Sequence, residues 1–226
     1  MNKYYCYNRN INYKDEIESI IQSRKKEIFS FFGITEDIEL DINIYIYNSI
    51  EELVQGMKDR GFEDMPHYMC ACQKDEDNSL NYFEPKDNDD KWPKEKYKDV
   101  IFHELVHAIE YKLYGIHPEW LTEGIAKYLD GTYSKGIKYL FENYIHKNRI
   151  PSMYELKYEF GEHENEYDSY DYAYIMVCYL IEVYGKGEFL RLISNKNELD
   201  IISQNLVLDS IDYYNNKYFN INTKKR

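Results

Sequence analysis

The sequence predicts an α+β fold, with a small mixed sheet and helices in the first half, a mostly helical second half, and a histidine-bearing helix at the join. Three observations carry this. Residues 39–47 alternate apolar and polar, the period of a half-buried strand. Residues 68–72 and 80–83 are short apolar and aromatic runs on either side of the polar turn Lys74-Asp75-Glu76-Asp77-Asn78, the layout of a hairpin. After Gly131 the apolar residues recur mostly at helical spacing. A chain of 226 residues can bury a substantial core. With no internal repeat and no Pro, Gly or Ser linker, it reads as a single domain over 1–226, α/β to about residue 115 and helical from 116 onward.

Taken in order, residues 13–32 carry Ile17, Ile20, Ile21, Ile28, Phe29 and Phe32 at helical spacing, with Gly33 as terminator. In 39–47, Leu40, Ile42, Ile44 and Ile46 face one way, and Glu39, Asp41 and Asn43 the other. Ser49 with Glu52 is a capping-box pattern for a short helix through Met57, stopped at Gly61. Beyond the hairpin, the acidic stretch 85–93 leads into a helix whose Val100, Ile101, Leu105, Ala108, Ile109 and Leu113 have the spacing of a buried element, with Gly115 as its end. Pro118 suits the first turn of the next helix, which ends at Gly131. Ile137, Leu140, Phe141, Tyr144 and Ile145 mark another helix, Ile150-Pro151 turns the chain, and the polar run 161–166 reads as a loop. A strong helix over Ser169–Tyr184 precedes Gly185, and shorter helical pieces follow at 189–193, 199–202 and 211–219.

The chemistry concentrates in His103-Glu104-Leu105-Val106-His107 and, fifteen intervening residues later, Glu123. Histidines four apart on a helix differ by about 40° in azimuth and one turn in height, so both imidazoles can reach one ion. Glu104 edges the same face without needing to bind the metal, which leaves it free to act as a base. Glu123, on the adjoining helix, completes a His, His, Glu set with a fourth position for water, the arrangement of a catalytic zinc. The bland alternative is a buried helix whose paired histidines are satisfied by neighbours.

His103–His107 followed by Trp120-Leu121-Thr122-Glu123-Gly124-Ile125-Ala126 resembles the gluzincin metallopeptidases, in particular small peptidases of the MA-like group, whose second motif reads W-L-x-E-G-x-A. The resemblance implies a zincin-like fold, zinc held by His103, His107 and Glu123, Glu104 as general base, and hydrolysis of a peptide or protein substrate. Two departures stand out. The spacing from His107 to Glu123 is shorter than in the thermolysin-like and aminopeptidase branches. Lys127 also stands where thermolysin-like enzymes have an aspartate that orients a zinc histidine. The family also implies a sheet-edge strand ahead of the zinc helix for an extended substrate, with 80–84 the leading candidate and 68–72 the other. The run Tyr170-Asp171-Tyr172-Ala173, leading to Tyr184-Gly185, is similar to a third block of the group. It points to Tyr170, with Tyr172 in reserve, as a phenol donor to the developing oxyanion, while Tyr174 and Tyr179 are expected deeper in the core. Aminopeptidases of this kind carry G-x-M-E-N upstream; Gly56-Met57-Lys58 puts a lysine in place of the glutamate, so endopeptidase or oligopeptidase activity is expected. Two other functions fit the same residues: a catalytically idle zinc-binding domain that grips a partner peptide, and a toxin or effector peptidase with one host target.

Composition narrows the partners. A net charge of -13 argues against nucleic acid or an anionic membrane, since either demands a basic surface, and the Lys224-Lys225-Arg226 tail does not change that. The start, MNKYYCYNRN, has no apolar stretch of the secretory kind and no run reaches membrane length, so a cytoplasmic location is expected. Cys6, Cys70, Cys72 and Cys178 form no disulfide framework. Cys70 and Cys72 read as small packing residues. His67, His117, His146 and His163 lack partners at ligand spacing, His117 having the best claim to face substrate.

Overall fold

The computed structural model describes residues 2–7, 11–36, 38–62, 71–74, 78–85 and 96–220. The chain divides into two compact units, Met1–Ile116 and His117–Arg226. Among the described residues it is α+β and mostly helical, with one small sheet.

The first unit contains β1 (Lys3–Cys6), α1 (Ile11–Phe32), β2 (Asn43–Tyr47), α2 (Ile50–Asp59), β3 (Ala71–Lys74), β4 (Ser79–Phe83) and α3 (Tyr97–Tyr114). The four strands lie in the order β1-β2-β4-β3. β1, β2 and β4 are parallel, with Ile44 beside Leu80 and Tyr47 beside Phe83, and β3 returns antiparallel to β4. The expected hairpin is therefore present, although residues 68–70 and 75–77 lie outside the described set. The leading candidate for the edge strand is corrected: β4 is hydrogen-bonded on both sides and buried at all five positions, so β3 takes the edge. A run buried on both faces has no solvent side to mark with charge, so its sequence shows no alternation. The alternating stretch becomes strand only from Asn43, while Leu40 and Ile42 are buried as read. β1 was not foreseen; four residues without alternation carry little signal.

Three tyrosine hydroxyls tie the helices to β4. Tyr13 of α1 donates to the Phe83 carbonyl at 3.1 Å, Tyr97 of α3 accepts from the Phe83 amide at 3.0 Å, and Tyr82 donates to the Ile101 carbonyl at 3.4 Å. At the other end of α3, Lys112 donates to the carbonyls of Glu39 and Leu40 at 2.6 and 2.8 Å. Ile101, Leu105, Ala108 and Ile109 are fully or almost fully buried. α3 is thus held at both ends and along one face, and it stops where Gly115 adopts φ 74°, which only glycine enters cheaply.

The second unit contains α4 (Glu119–Asp130), α5 (Gly136–Asn143), a 3₁₀ turn at Ile145–Lys147, α6 (Met153–Tyr158), α7 (Ser169–Tyr184), α8 (Lys186–Ile193), α9 (Lys196–Ser203) and α10 (Leu206–Phe219). Its core is the pair α4 and α7. Trp120, Leu121, Ile125 and Ala126 on one helix and Ala173, Met176, Val177 and Leu180 on the other are fully buried. A Cβ added at Gly124 would lie 2.5 Å from the Ala173 carbonyl oxygen and 2.7 Å from Val177 Cγ2, so the helices meet backbone against backbone. α6 lies between the turn expected at Ile150-Pro151 and the loop expected at 161–166, in a stretch to which the sequence reading assigns no element. Its signature was present, since Ser152 and Glu155 form a complete capping box, but six residues offer too little periodicity to register.

Candidate metal centre

α3 brings His103 and His107 together as their spacing implies. Their Nε2 atoms stand 3.1 Å apart, with the ring planes at 85° and centroids 4.7 Å apart. Both side chains are half-buried, and Glu104 beside them is buried. Two ring nitrogens this close need a shared proton or a shared cation between them. Two nitrogen ligands on a tetrahedral zinc, each at about 2.0–2.1 Å, stand about 3.3 Å apart. The observed separation and the two imidazole nitrogens fit such an ion. Glu110, three residues beyond His107, is 1% exposed. It was passed over in the sequence although it shares the histidine face of the helix.

In the second unit, Glu123 lies on α4 with a half-buried side chain, flanked by the buried Leu121, Gly124 and Ile125. Lys127, one turn on, pairs with Asp130 at 3.9 Å, and its ammonium lies 5.4 Å from the centre of the Tyr170 ring. Tyr170 sits in the first turn of α7, whose amide end is capped by Asp168. It is 37% exposed and its ring stands edge-on to Phe160 at 5.1 Å. Tyr172 is 1% exposed and its hydroxyl donates to the Arg149 carbonyl at 3.1 Å. Tyr174 and Tyr179 are more buried than Tyr170, as expected, but only half-buried, whereas the reserve Tyr172 is in the core. Asp171 is buried, and its Oδ1 accepts from the Tyr133 hydroxyl at 2.7 Å. Burial pushes its carboxyl up to about 6, against a smaller downward pull from the Tyr133 hydrogen bond. Nothing in the sequence marked Asp171, since its burial depends on the turn at Tyr133.

The other described histidines serve the scaffold. His117, the best candidate for facing substrate, is instead 8% exposed and bonded through Nε2 to the Ile193 carbonyl at 2.9 Å. His146 meets Asn215 Oδ1 at 2.7 Å and stands edge-on to Phe141 and Phe219. His67, like Cys70, lies outside the described residues. Glu155, Glu159 and His163 also cluster, with potential ligand atoms within 4.8 Å of one another. There the charge is already balanced: Arg149 grips Glu155 with contacts of 2.7 and 3.2 Å, and His163, 3.0 Å from Glu159, is held above its ordinary pKa by that hydrogen bond. Cys6 and Cys178 are free thiols. Among the described residues no helix is long and apolar enough to cross a membrane.

A family model described as Peptidase MA superfamily matches residues 36–208, a span that includes α3, α4 and α7 whole. No curated protein matches the chain.

Proposed function

Because the chain belongs to the Peptidase MA superfamily, we propose that it is a zinc-dependent peptidase of gluzincin type with a zincin-like fold, in which His103, His107 and Glu123 hold the metal and Glu104 is the general base. The observation that carries this reading is the convergence of the two Nε2 atoms at 3.1 Å, beside a buried glutamate, on a helix inside the matched span. Zinc, when bound, supplies Lewis-acid activation of a water and of the scissile carbonyl. Glu104 would take a proton from the attacking water and pass it to the leaving amine.

Tyr170 is the donor to the developing oxyanion. Its first-turn position and exposed ring support that role, whereas the Tyr172 hydroxyl is committed to the Arg149 carbonyl. The peptide adds as a strand along β3, the sheet edge that precedes α3. Endopeptidase or oligopeptidase activity is favoured because Gly56-Met57-Lys58 lies within α2, with Met57 fully buried, and offers no carboxylate for a free amine.

The test is zinc content together with cleavage of an unbiased peptide library, with and without chelator. Glu104→Gln should abolish turnover and keep one zinc per chain, while His103→Ala and Glu123→Ala should lose the metal. A Glu104→Gln protein as empty as His103→Ala would overturn the role assignment. Zinc binding without turnover on any library would favour an idle peptide-gripping domain.

A further inference from the structure

A cavity of about 480 Å³ opens in the second unit between the end of α4, the turn at 132–135, the start of α5 and the first turn of α7. That volume lies in the range of ordinary ligand sites. Tyr133, Tyr139, Tyr144 and Tyr170 contribute to its walls, and Asp171 also lines it. Asp171 is 6% exposed, and its Oδ1 accepts from the Tyr133 hydroxyl at 2.7 Å. We propose that this cavity is a subsite for a basic side chain, lysine or arginine, of the substrate peptide. The substrate assignment rests on the peptidase reading; the preference for a cation does not.

The sign follows from which charge is buried. A desolvated carboxylate is stabilised by a cation far more than by a single phenol. Lys127, the lysine whose field reaches Asp171, is paired with Asp130 instead. The tyrosine faces suit the same guest, since ring quadrupoles attract ammonium and guanidinium groups. The chain's own lysines already use them: Lys127 lies over Tyr170, and Lys135 lies 4.5 Å from the Tyr139 ring centre. An anionic guest would have to rely on Lys127 and Lys135, one half-buried and the other exposed, and would sit against the buried carboxylate. The position also suits a substrate pocket. Lys127 follows Glu123 by one turn of α4, about 6 Å along the axis, and Tyr170 precedes Asp171 on α7.

The first arm of the test needs no catalysis. N-acetyl-arginine amide, N-acetyl-norleucine amide and N-acetyl-glutamate amide are titrated into the full chain by calorimetry or NMR. The arginine probe should bind at least tenfold more tightly than the other two. Asp171→Asn, which keeps the oxygen that accepts from Tyr133, should erase that margin, and Lys135→Gln should tighten the arginine probe severalfold. Equal binding of the three probes, or tightest binding of the glutamate probe with loss in Lys135→Gln, would overturn the proposal. The second arm is the cleavage profile of the zinc-loaded enzyme on the peptide library. Lysine and arginine should be enriched at one fixed position from the cut, and the enrichment should fall at least tenfold in Asp171→Asn. Cleavage without that enrichment overturns the subsite while leaving the peptidase reading intact. Absence of any cleavage overturns the peptidase reading, and with it the peptide as guest, while the probe titration still decides the cation site.

Discussion

Gly124→Ala tests the contact on which the second unit is built. The added methyl would lie 2.5 Å from the Ala173 oxygen, 2.9 Å from the Ala173 carbonyl carbon and 2.7 Å from Val177 Cγ2. An ordinary carbon contact there needs at least about 3.4 Å, so α4 and α7 must part by roughly 0.9 Å, and two of the three obstacles are backbone that no rotamer change can move. Overpacking of this kind costs about 1–3 kcal/mol, and a clash with backbone belongs at the upper end. Alanine recovers about 1 kcal/mol of helix propensity, leaving a net loss of about 2 kcal/mol. In a chain of this length that lowers Tm by about 4–8 °C. Glu123 is the preceding residue, so a displaced α4 should also weaken zinc by about tenfold. Gly187→Ala is the control: it lies in α8 and its new methyl would meet nothing within 4 Å, so stability should stay level or rise by up to about 1 kcal/mol. Thermal unfolding by circular dichroism and zinc titration against a competing chelator read both effects. A Gly124→Ala protein as stable and as tight for zinc as the parent would refute the argument.

Tyr170→Phe should lower kcat about a hundredfold, or roughly 3 kcal/mol, with zinc content and KM little changed, as for an interaction made mainly in the transition state. Tyr172→Phe should instead lose about 1 kcal/mol of stability with its buried hydrogen bond; loss of turnover there and none in Tyr170→Phe would transfer the donor role. Asp171 is held at about 6 from 3.8 by burial, so the folded state binds its proton more tightly than the unfolded state and this group's contribution falls as pH rises from about 4 through 6. Asp171→Asn should therefore gain stability relative to the parent across that window, by on the order of 2–3 kcal/mol at pH 7; a difference in Tm that does not change with pH would contradict it. N-acetylated and free peptides should be cleaved at equal rates, and a requirement for the free amine, seen by mass spectrometry of paired substrates, would rule out the endopeptidase assignment.

Much of the frame was legible in the residues because it is set locally. α1, α3, α4 and α7 begin and end within a few residues of where periodicity, Pro118 and the glycines at 33, 115, 131 and 185 place them, since each signal acts within one or two helical turns. The approach of His103 to His107 is equally local: a helix with imidazoles four residues apart brings them to one side whatever surrounds it. Tertiary structure decided the rest. The order β1-β2-β4-β3 is made by parallel pairing between strands far apart in sequence, so the interior place of β4 is written in no single stretch. Tyr172 and Tyr174 are two residues apart and so point to opposite sides of one helix, and it is the packing of the rest of the unit that covers the side of Tyr172, whose hydroxyl donates to the Arg149 carbonyl. Asp171 has the sequence setting of a first-turn helix acid, and such residues ordinarily face water. It is buried because Tyr133, brought back from the turn after α4, covers it with its hydroxyl. Burial of a charge depends on what the rest of the chain lays over it, which no local pattern can record.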